Sequence, residues 1–445
     1  MKSHDSWSPP PAGFPAVLRL AGGVAAACAL LAAAPALAET TLVSAASTTL
    51  FRIGHGDFQD SKNIDTAYEY LRLSVSRTFN GGDSLSFLAG GWLRGDLGDK
   101  SANDRYTDAD LQYGYLSYQR GRNNQVVNAG RQLVTEGVAT ERLDGLYLRS
   151  DLPAGFAAAI FVGSPVVTEP NFKADNLVFG GRFTHSLSNY YTLGVSALKS
   201  YQDSTRYREE EGVDLWLHPV RGVDITGRSS YNSLTDGWME HSYRASYAPL
   251  SPLRLFANLE SINYRDYFYR VTTSALSFTN RLIDPNEKML ALGGGASFTP
   301  LDSLTLSAEY RHYDYDIAGA ANYYGGRIGY ANPKYLSCGV AVYRMDGAAD
   351  RLKYLEYRAY AAKSIGKADL ALDLIDVRYD STLATNQVKD AFTASAALTY
   401  RWDDRLSFGG DIDYSHNPDF DNEVRGLLKL SYAFEAKRAA EGGAK

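Results

Sequence analysis

The sequence predicts an all-β chain that closes into a transmembrane, up-and-down antiparallel β-barrel of about 22 strands, range roughly 18–22. Three observations predict it. Period-two alternation of apolar and polar residues recurs along the whole chain after residue 38. Ten short turns interleave with longer polar links. The composition holds 32 Tyr and 40 Gly against 4 Met and 2 Cys, a mixture that suits many pleated strands ending at a polar–apolar boundary.

The first segment is a leader. Lys2 and Arg19 precede the apolar run from Leu20 to Ala38, which ends in Ala36-Leu37-Ala38, the small–x–small pattern of a signal-peptidase site. Ala25, three before Cys28, departs from a lipoprotein site, so ordinary secretion is the reading. The chain divides as signal peptide 1–38, barrel 39–434 and a short polar periplasmic tail 435–445. Beyond the leader no apolar run reaches the roughly 18 residues of a spanning helix, and mean hydropathy is −0.28. Cys338 is the one cysteine left, so no internal disulfide forms. A net charge of −6 with no basic patch gives no nucleic-acid footprint.

The strands follow from alternation. Leu71, Leu73 and Val75 alternate with Arg72, Ser74 and Ser76; Leu304, Leu306, Ala308 and Tyr310 alternate with Thr305, Ser307, Glu309 and Arg311. Phe392 to Arg401 and Leu406 to Tyr414 repeat the pattern. Strand signals begin by about Thr49. Short turns fall at Asn80–Asp83, Gly121–Asn124, Asp151–Gly155, Ser188–Asn189, Pro219–Gly222, Pro249–Pro252, Thr299–Asp302, Asn332–Lys334, Ser364–Lys367 and Trp402–Arg405. Longer links include "GDLGDKSANDRYTD", "GSPVVTEPNFKAD" and "YQDSTRYREE". Short turns on one side and longer loops on the other, with both termini on the short side, describe a barrel spanning a bilayer. A β-sandwich does not require this alternation in so many strands, and no blade period supports a propeller.

The last strand, "GLLKLSYAF", places Leu428, Leu430, Tyr432 and Phe434 on one face. It resembles the C-terminal recognition strand of Gram-negative outer-membrane proteins, which the barrel-insertion machinery reads. That resemblance implies the outer membrane as location, with its lipid and that machinery as partners. The family pattern ends at the aromatic residue, whereas here "EAKRAAEGGAK" follows.

The polar parity of the strands faces the lumen. Arg72, Asp224, Arg228, Arg254, Glu260, Glu309, Arg311, Arg401, Asp411 and Asp413 are its charged members. Isolated charges in an apolar interior cost several kcal/mol, and a barrel near 22 strands is too wide for side chains to fill. The interior therefore holds water, a plug or another protein. Transporters of this width that depend on TonB carry a folded domain of well over a hundred residues ahead of the barrel; here strands begin too early for one. The longest loop, Arg265 to Glu287, reads as an external loop extending its neighbouring strands, with an inward-folded constriction as the alternative. The seven His are scattered without HExxH spacing or a Cys/His cluster, so no catalytic, metal or cofactor site is expected, and the chain is not read as an enzyme. No CxxCH is present, so the chain attaches no haem itself.

One stretch breaks the pattern. "NAGRQLVTEGVATERLDGLYLR", Asn128 to Arg149, crowds Arg131, Glu136, Glu141, Arg142, Asp144 and Arg149 between two strand cores. Gly130-Arg131-Gln132, Gly137 and Asp144-Gly145 resemble the strand–loop–strand segment of porins of the alginate-export type. Arg131 shares parity with the apolar Ala129 and Leu133. An arginine facing mid-bilayer lipid costs about 2–4 kcal/mol, so a β-bulge turning Arg131 inward, to meet Asp144 on the paired strand, is expected. Arg72, Arg131, Asp144, Arg228, Glu309, Arg311, Arg401 and Asp411 are the candidate pore-lining residues. The function expected is a porin-like channel. The alternative rests on a resemblance of wide, plug-free barrels to the porin component of porin–cytochrome conduits, which sheathes a separate multihaem c-type cytochrome.

Overall fold

A computed structural model describes residues 38–56, 65–79, 81–100, 105–166, 176–269, 284, 286–383, 388–417 and 420–439. The leader 1–37 therefore lies outside the described residues. Twenty-two strands form one antiparallel sheet. The first eleven are β1 (Ala38–Gly56), β2 (Thr66–Phe79), β3 (Ser84–Asp96), β4 (Thr107–Arg120), β5 (Gln125–Glu136), β6 (Ala139–Asp151), β7 (Phe156–Pro165), β8 (Leu177–Leu187), β9 (Tyr191–Gln202), β10 (Thr205–Leu217) and β11 (Val223–Asn232). They are followed by β12 (Gly237–Leu250), β13 (Leu253–Asn263), β14 (Lys288–Leu301), β15 (Leu304–Tyr315), β16 (Gly319–Asn332), β17 (Leu336–Gly347), β18 (Lys353–Ile365), β19 (Ala368–Leu383), β20 (Val388–Arg401), β21 (Leu406–Asn417) and β22 (Phe420–Ala439). Each pairs with its neighbours in sequence, and β1 pairs with β22 from Thr40↔Ala439 to Gly56↔Glu423, closing the barrel.

Alternation sorts the side chains. The outward set is large, apolar and exposed in the isolated chain, with Leu428 59%, Ile412 56%, Leu372 56% and Ile160 57% exposed. Aromatic residues flank this band. Phe156, Tyr190, Tyr247, Tyr335, Tyr400, Trp402 and Tyr432 stand near the short turns, and Trp238, Tyr310, Tyr324, Tyr357 and Tyr414 near the opposite rim. An apolar band between two aromatic girdles matches a hydrocarbon core bounded by two interfaces. Closure leaves no sheet edge inside it, as lipid demands.

All ten short turns connect strands where the sequence places them. Three expectations need correction. β1 begins at Ala38, well before Thr49, because Ala, Ser and Thr pair with β2 and β22 without giving a hydrophobic signal. β22 does not stop at Phe434; Glu435, Ala436, Lys437, Arg438 and Ala439 continue the ladder with β1, so five residues assigned to the tail are strand. "YQDSTRYREE" is not a long loop: Asp203 and Ser204 alone join β9 to β10, both at positive φ (48° and 60°), as a tight hairpin turn needs. Its many charges belong to the strand ends above the apolar band.

Candidate functional site

The unusual geometry of this barrel sits in β5 and β6. Strand β4 pairs with β5 only from Gln125 to Arg131, and β6 pairs with β7 only from Leu143 to Asp151. The hairpin above, closed by Gly137 and Val138, pairs within itself without a register shift from Val126↔Arg149 to Glu136↔Ala139. In a straight hairpin Glu136 stands eight residues above the level of Tyr147, which pairs with Asn128. That is about 26 Å of strand. Yet the Tyr147 hydroxyl donates to Glu136 Oε1 at 2.6 Å. The hairpin therefore curls over into the lumen and doubles back.

Glycines form the crease. Gly130 has φ +128°, open to glycine and strained for other residues. It pairs with Gly145, which pairs with Gly163. A Cβ on Gly145 would run into the Val162 carbonyl oxygen, and one on Gly130 into the Gly114 carbonyl oxygen. The wall can bend there because no side chain separates the backbones.

Both faces of the curled arm have partners. The wall-side face carries Val134, Ala139 and Leu143, which pack on the inward-facing Phe161, Val178 and Leu198 of β7, β8 and β9. At the tip, Val138 N–H donates to Ser196 Oγ at 3.0 Å, and Val138 lies against Gly212 of β10. Glu136 faces Arg182 at 3.8 Å, and Arg182 Nε donates to Asp214 Oδ2 at 3.0 Å. Glu141 is paired with Arg208, whose Nε also donates to Glu210 Oε1 at 2.6 Å. On the opposite face Arg131 donates twice to Asp144, at 2.7 and 2.8 Å, and once to the Leu111 carbonyl at 3.1 Å. Arg142 Nη1 donates to Asp110 Oδ2 at 2.6 Å. Asp110, on β4, shares the lumen-side parity of Trp92 opposite the exposed Leu93.

Arg131 and Asp144 thus meet on paired strands as the sequence suggests, but by another route than a bulge in β5. Arg131 keeps the parity of Leu133; folding the arm inward turns that outer face away from lipid. The bulge in this region is on β4, at the register shift opposite Gly90 and Gly91. The other candidates lie on the lumen parity of their strands: Arg72 opposite Leu71, Arg228 opposite Tyr231, Glu309 and Arg311 opposite Tyr310, Arg401 opposite Tyr400, and Asp411 opposite Ile412. Glu309 and Arg311 are neighbours on β15, Arg401 and Asp411 stand on the paired strands β20 and β21, and Arg72 and Arg228 lie elsewhere on the wall; Arg228 pairs with Glu240 (2.7 Å) and Arg401 with Asp369 (2.9 Å). The insertion-strand residues Leu428, Leu430 and Tyr432 face outward together. Sequence reasoning missed Asp110, Arg182, Arg208 and Asp214, whose role depends on where the arm tip lands. The glycines at 130 and 145, beside an arginine on an apolar parity, are the signal for a crease that the sequence offers.

The start of the long β13–β14 link also turns inward. A short helical turn, Tyr264–Tyr267, docks on β11 and β12 through Asp266, which is fully buried. Asn232 Nδ2 donates to the Asp266 carbonyl at 3.0 Å, and Arg265 Nε to its carboxylate at 3.0 Å. Tyr267 joins Val138, Thr140, Arg228 and Glu240 around a cavity of about 290 Å³ between arm tip and wall. Burial, then the Glu240 charge, raise the Tyr267 phenol above its ordinary pKa. Most of the remaining link lies outside the described residues.

No family model and no curated protein matches the chain. Solved structures do. The siderophore receptor PirA from Pseudomonas aeruginosa is similar with a TM-score of 0.53 at 15% identity, over 88% of this chain and 80% of that one. The chain folds as a Gram-negative outer-membrane β-barrel. Its apolar band and girdles place it in the outer membrane. Also similar in outline are OpdO from Pseudomonas aeruginosa (TM-score 0.45, 10% identity, 90% of this chain and 98% of that one) and a BenF-like porin from Pseudomonas fluorescens (0.44, 11%, 90% and 100%).

Proposed function

We propose that the protein is a porin-like channel that passes small solutes through a polar lumen, narrowed by the β5–β6 arm. The observation that carries this reading is the arm itself. A hairpin folded inside a wide barrel and held by ion pairs on both faces reduces the bore at one level and lines it with fixed charge, which is how a pore selects by size and charge. Arg131 and Asp144 stand at the base of the arm. Arg72, Arg228, Glu309, Arg311, Arg401 and Asp411 line the remaining wall in this reading.

A sheath around a separate multihaem cytochrome calls for a clear bore, and the arm occupies part of it; no observation favours that alternative. The test is electrical. The purified, refolded barrel in planar bilayers is expected to give discrete conductance steps. A barrel that inserts yet stays silent, or that copurifies with a haem-staining partner, would reverse the choice.

A further inference from the structure

On the outer surface, the wall from β7 to β12 is hollowed. One row of paired outward residues reads Ile160, Gly181, Ala197, Glu211, Tyr231, Trp238 across the six strands. Gly181 and Ala197 raise little or no side chain above the backbone, while the next row toward the short turns carries Phe183, Val195 and Val213, all exposed. Together they form a groove of about 620 Å³ with a floor of small residues and an apolar bank, and Ile160 and Trp238 stand at its two ends.

The groove crosses the membrane band obliquely. Ile160 is midway along the ten residues of β7, so that end lies near the middle of the band. Trp238 is the second residue of β12, in the aromatic girdle away from the short turns. The five steps between these strands span about 24 Å. With strands tilted by about 40°, a row across them inclines about 50° from the membrane normal and descends about 15 Å, half of the roughly 30 Å hydrocarbon core. The groove thus runs from one interface to the midplane, the depth of a single leaflet. Its interfacial end is the polar one. Tyr231 and Trp238 pack edge to face there, 5.4 Å apart, and the Ser233 hydroxyl donates to the Glu211 carboxylate. From Val213 to Ile160 the outward side chains are apolar.

We propose that this groove seats one acyl chain of an outer-leaflet lipid, its head-group end beside Trp238 and its methyl end toward Ile160. The groove is continuous with the apolar band that already meets lipid, it spans the depth of one leaflet, and its polar end lies at the interface. A chain held there meets wall atoms on floor and bank, contacts that a flat sector of the barrel does not give. Lipid surrounds the barrel on every side, so seating the chain brings no hydrophobic gain, and the preference comes from packing. The site is independent of the lumen and of whether it conducts.

The experiment uses the full chain carrying Trp7→Phe, Trp92→Phe, Trp216→Phe and Trp402→Phe, refolded in detergent micelles, so that Trp238 alone reports. The probe is phosphatidylcholine brominated on its acyl chains, which quenches tryptophan at contact. Quenching is expected to saturate at one lipid per barrel. Ala197→Leu, which fills the floor from the lipid side, should weaken the apparent affinity roughly threefold to tenfold, the size of a lost packing contact. Ala396→Leu, on the outward parity of β20, should leave it unchanged. Quenching that rises without saturating, or that Ala197→Leu does not alter, overturns the site and leaves only general contact with lipid. Native mass spectra of the chain with its tryptophans intact, released from micelles containing phosphatidylcholine, decide the same question if the tryptophan variant does not refold. One lipid retained by the wild type and lost in Ala197→Leu supports the proposal, and equal retention overturns it. A dimer that Ala197→Leu dissociates would assign the groove to a second copy of the chain and overturn the lipid assignment.

Discussion

Replacing Arg131 with alanine probes the arm at its base. The guanidinium is 11% exposed and its partner carboxylate on Asp144 is 27% exposed, so the pair is neither free in water nor sealed from it. A freely exposed ion pair is worth about 0–1 kcal/mol, and breaking a fully buried one costs about 3–5 kcal/mol. Arg131 makes two bonds to Asp144 and a third to the Leu111 carbonyl, and its Nη1 lies 3.9 Å from Asp110. With Asp110 still held by Arg142 and Asp144 still partly hydrated, Arg131→Ala is expected to cost about 1–3 kcal/mol. The double variant with Asp144→Ala should cost less than the sum of the singles, with a coupling of roughly 1–2 kcal/mol. Urea midpoints read alongside heat-modifiable gel mobility measure both. The variant should still insert, with a lower midpoint and noisier open-channel current as the arm loosens. A raised midpoint would refute the reasoning, because it would mean that Arg131 faces lipid, where removal of the charge stabilises by about 2–4 kcal/mol.

Two further predictions follow from the same fold. Leu143 is fully buried between arm and wall, so Leu143→Ala should lower stability by about 2–4 kcal/mol in urea unfolding; an unchanged midpoint would mean that the arm does not pack there. Val138→Cys with Gly212→Cys, in a Cys338→Ser background, should crosslink on mild oxidation, because a Cβ at 212 meets the Val138 side chain and brings the two Cβ atoms within disulfide reach. Unreacted thiols on a gel, with the barrel folded, would show that the tip does not reach β10.

Much of the barrel is legible in the sequence, because period-two alternation is imposed strand by strand by lipid outside and water inside. The turns are legible for the same local reason: Asn80-Gly81-Gly82-Asp83 and Trp402–Arg405 carry their own backbone chemistry. Alternation fails where one face meets neither lipid nor a dominant apolar partner, and that hides the first part of β1 and the last residues of β22. Polar content misleads at Asp203 and Ser204, where charges mark strand ends beyond the membrane instead of a loop. The arm is the larger omission. Its inward path depends on contacts between Val138 and β10, Glu136 and β8, and Glu141 and Arg208, all set by the closed barrel. No local pattern encodes those partners. The sequence does mark the place, through an arginine on an apolar parity beside glycines at 130 and 145.

The most direct test of the central claim compares single-channel conductance of the wild-type barrel with that of a variant in which residues 132–142 are replaced by a short Gly-Ser link. If the arm narrows a water-filled lumen, both proteins conduct, and the shortened one conducts severalfold more with weaker ion selectivity. If the two conductances are equal, the arm does not set the bore; if neither conducts, the barrel is not a pore.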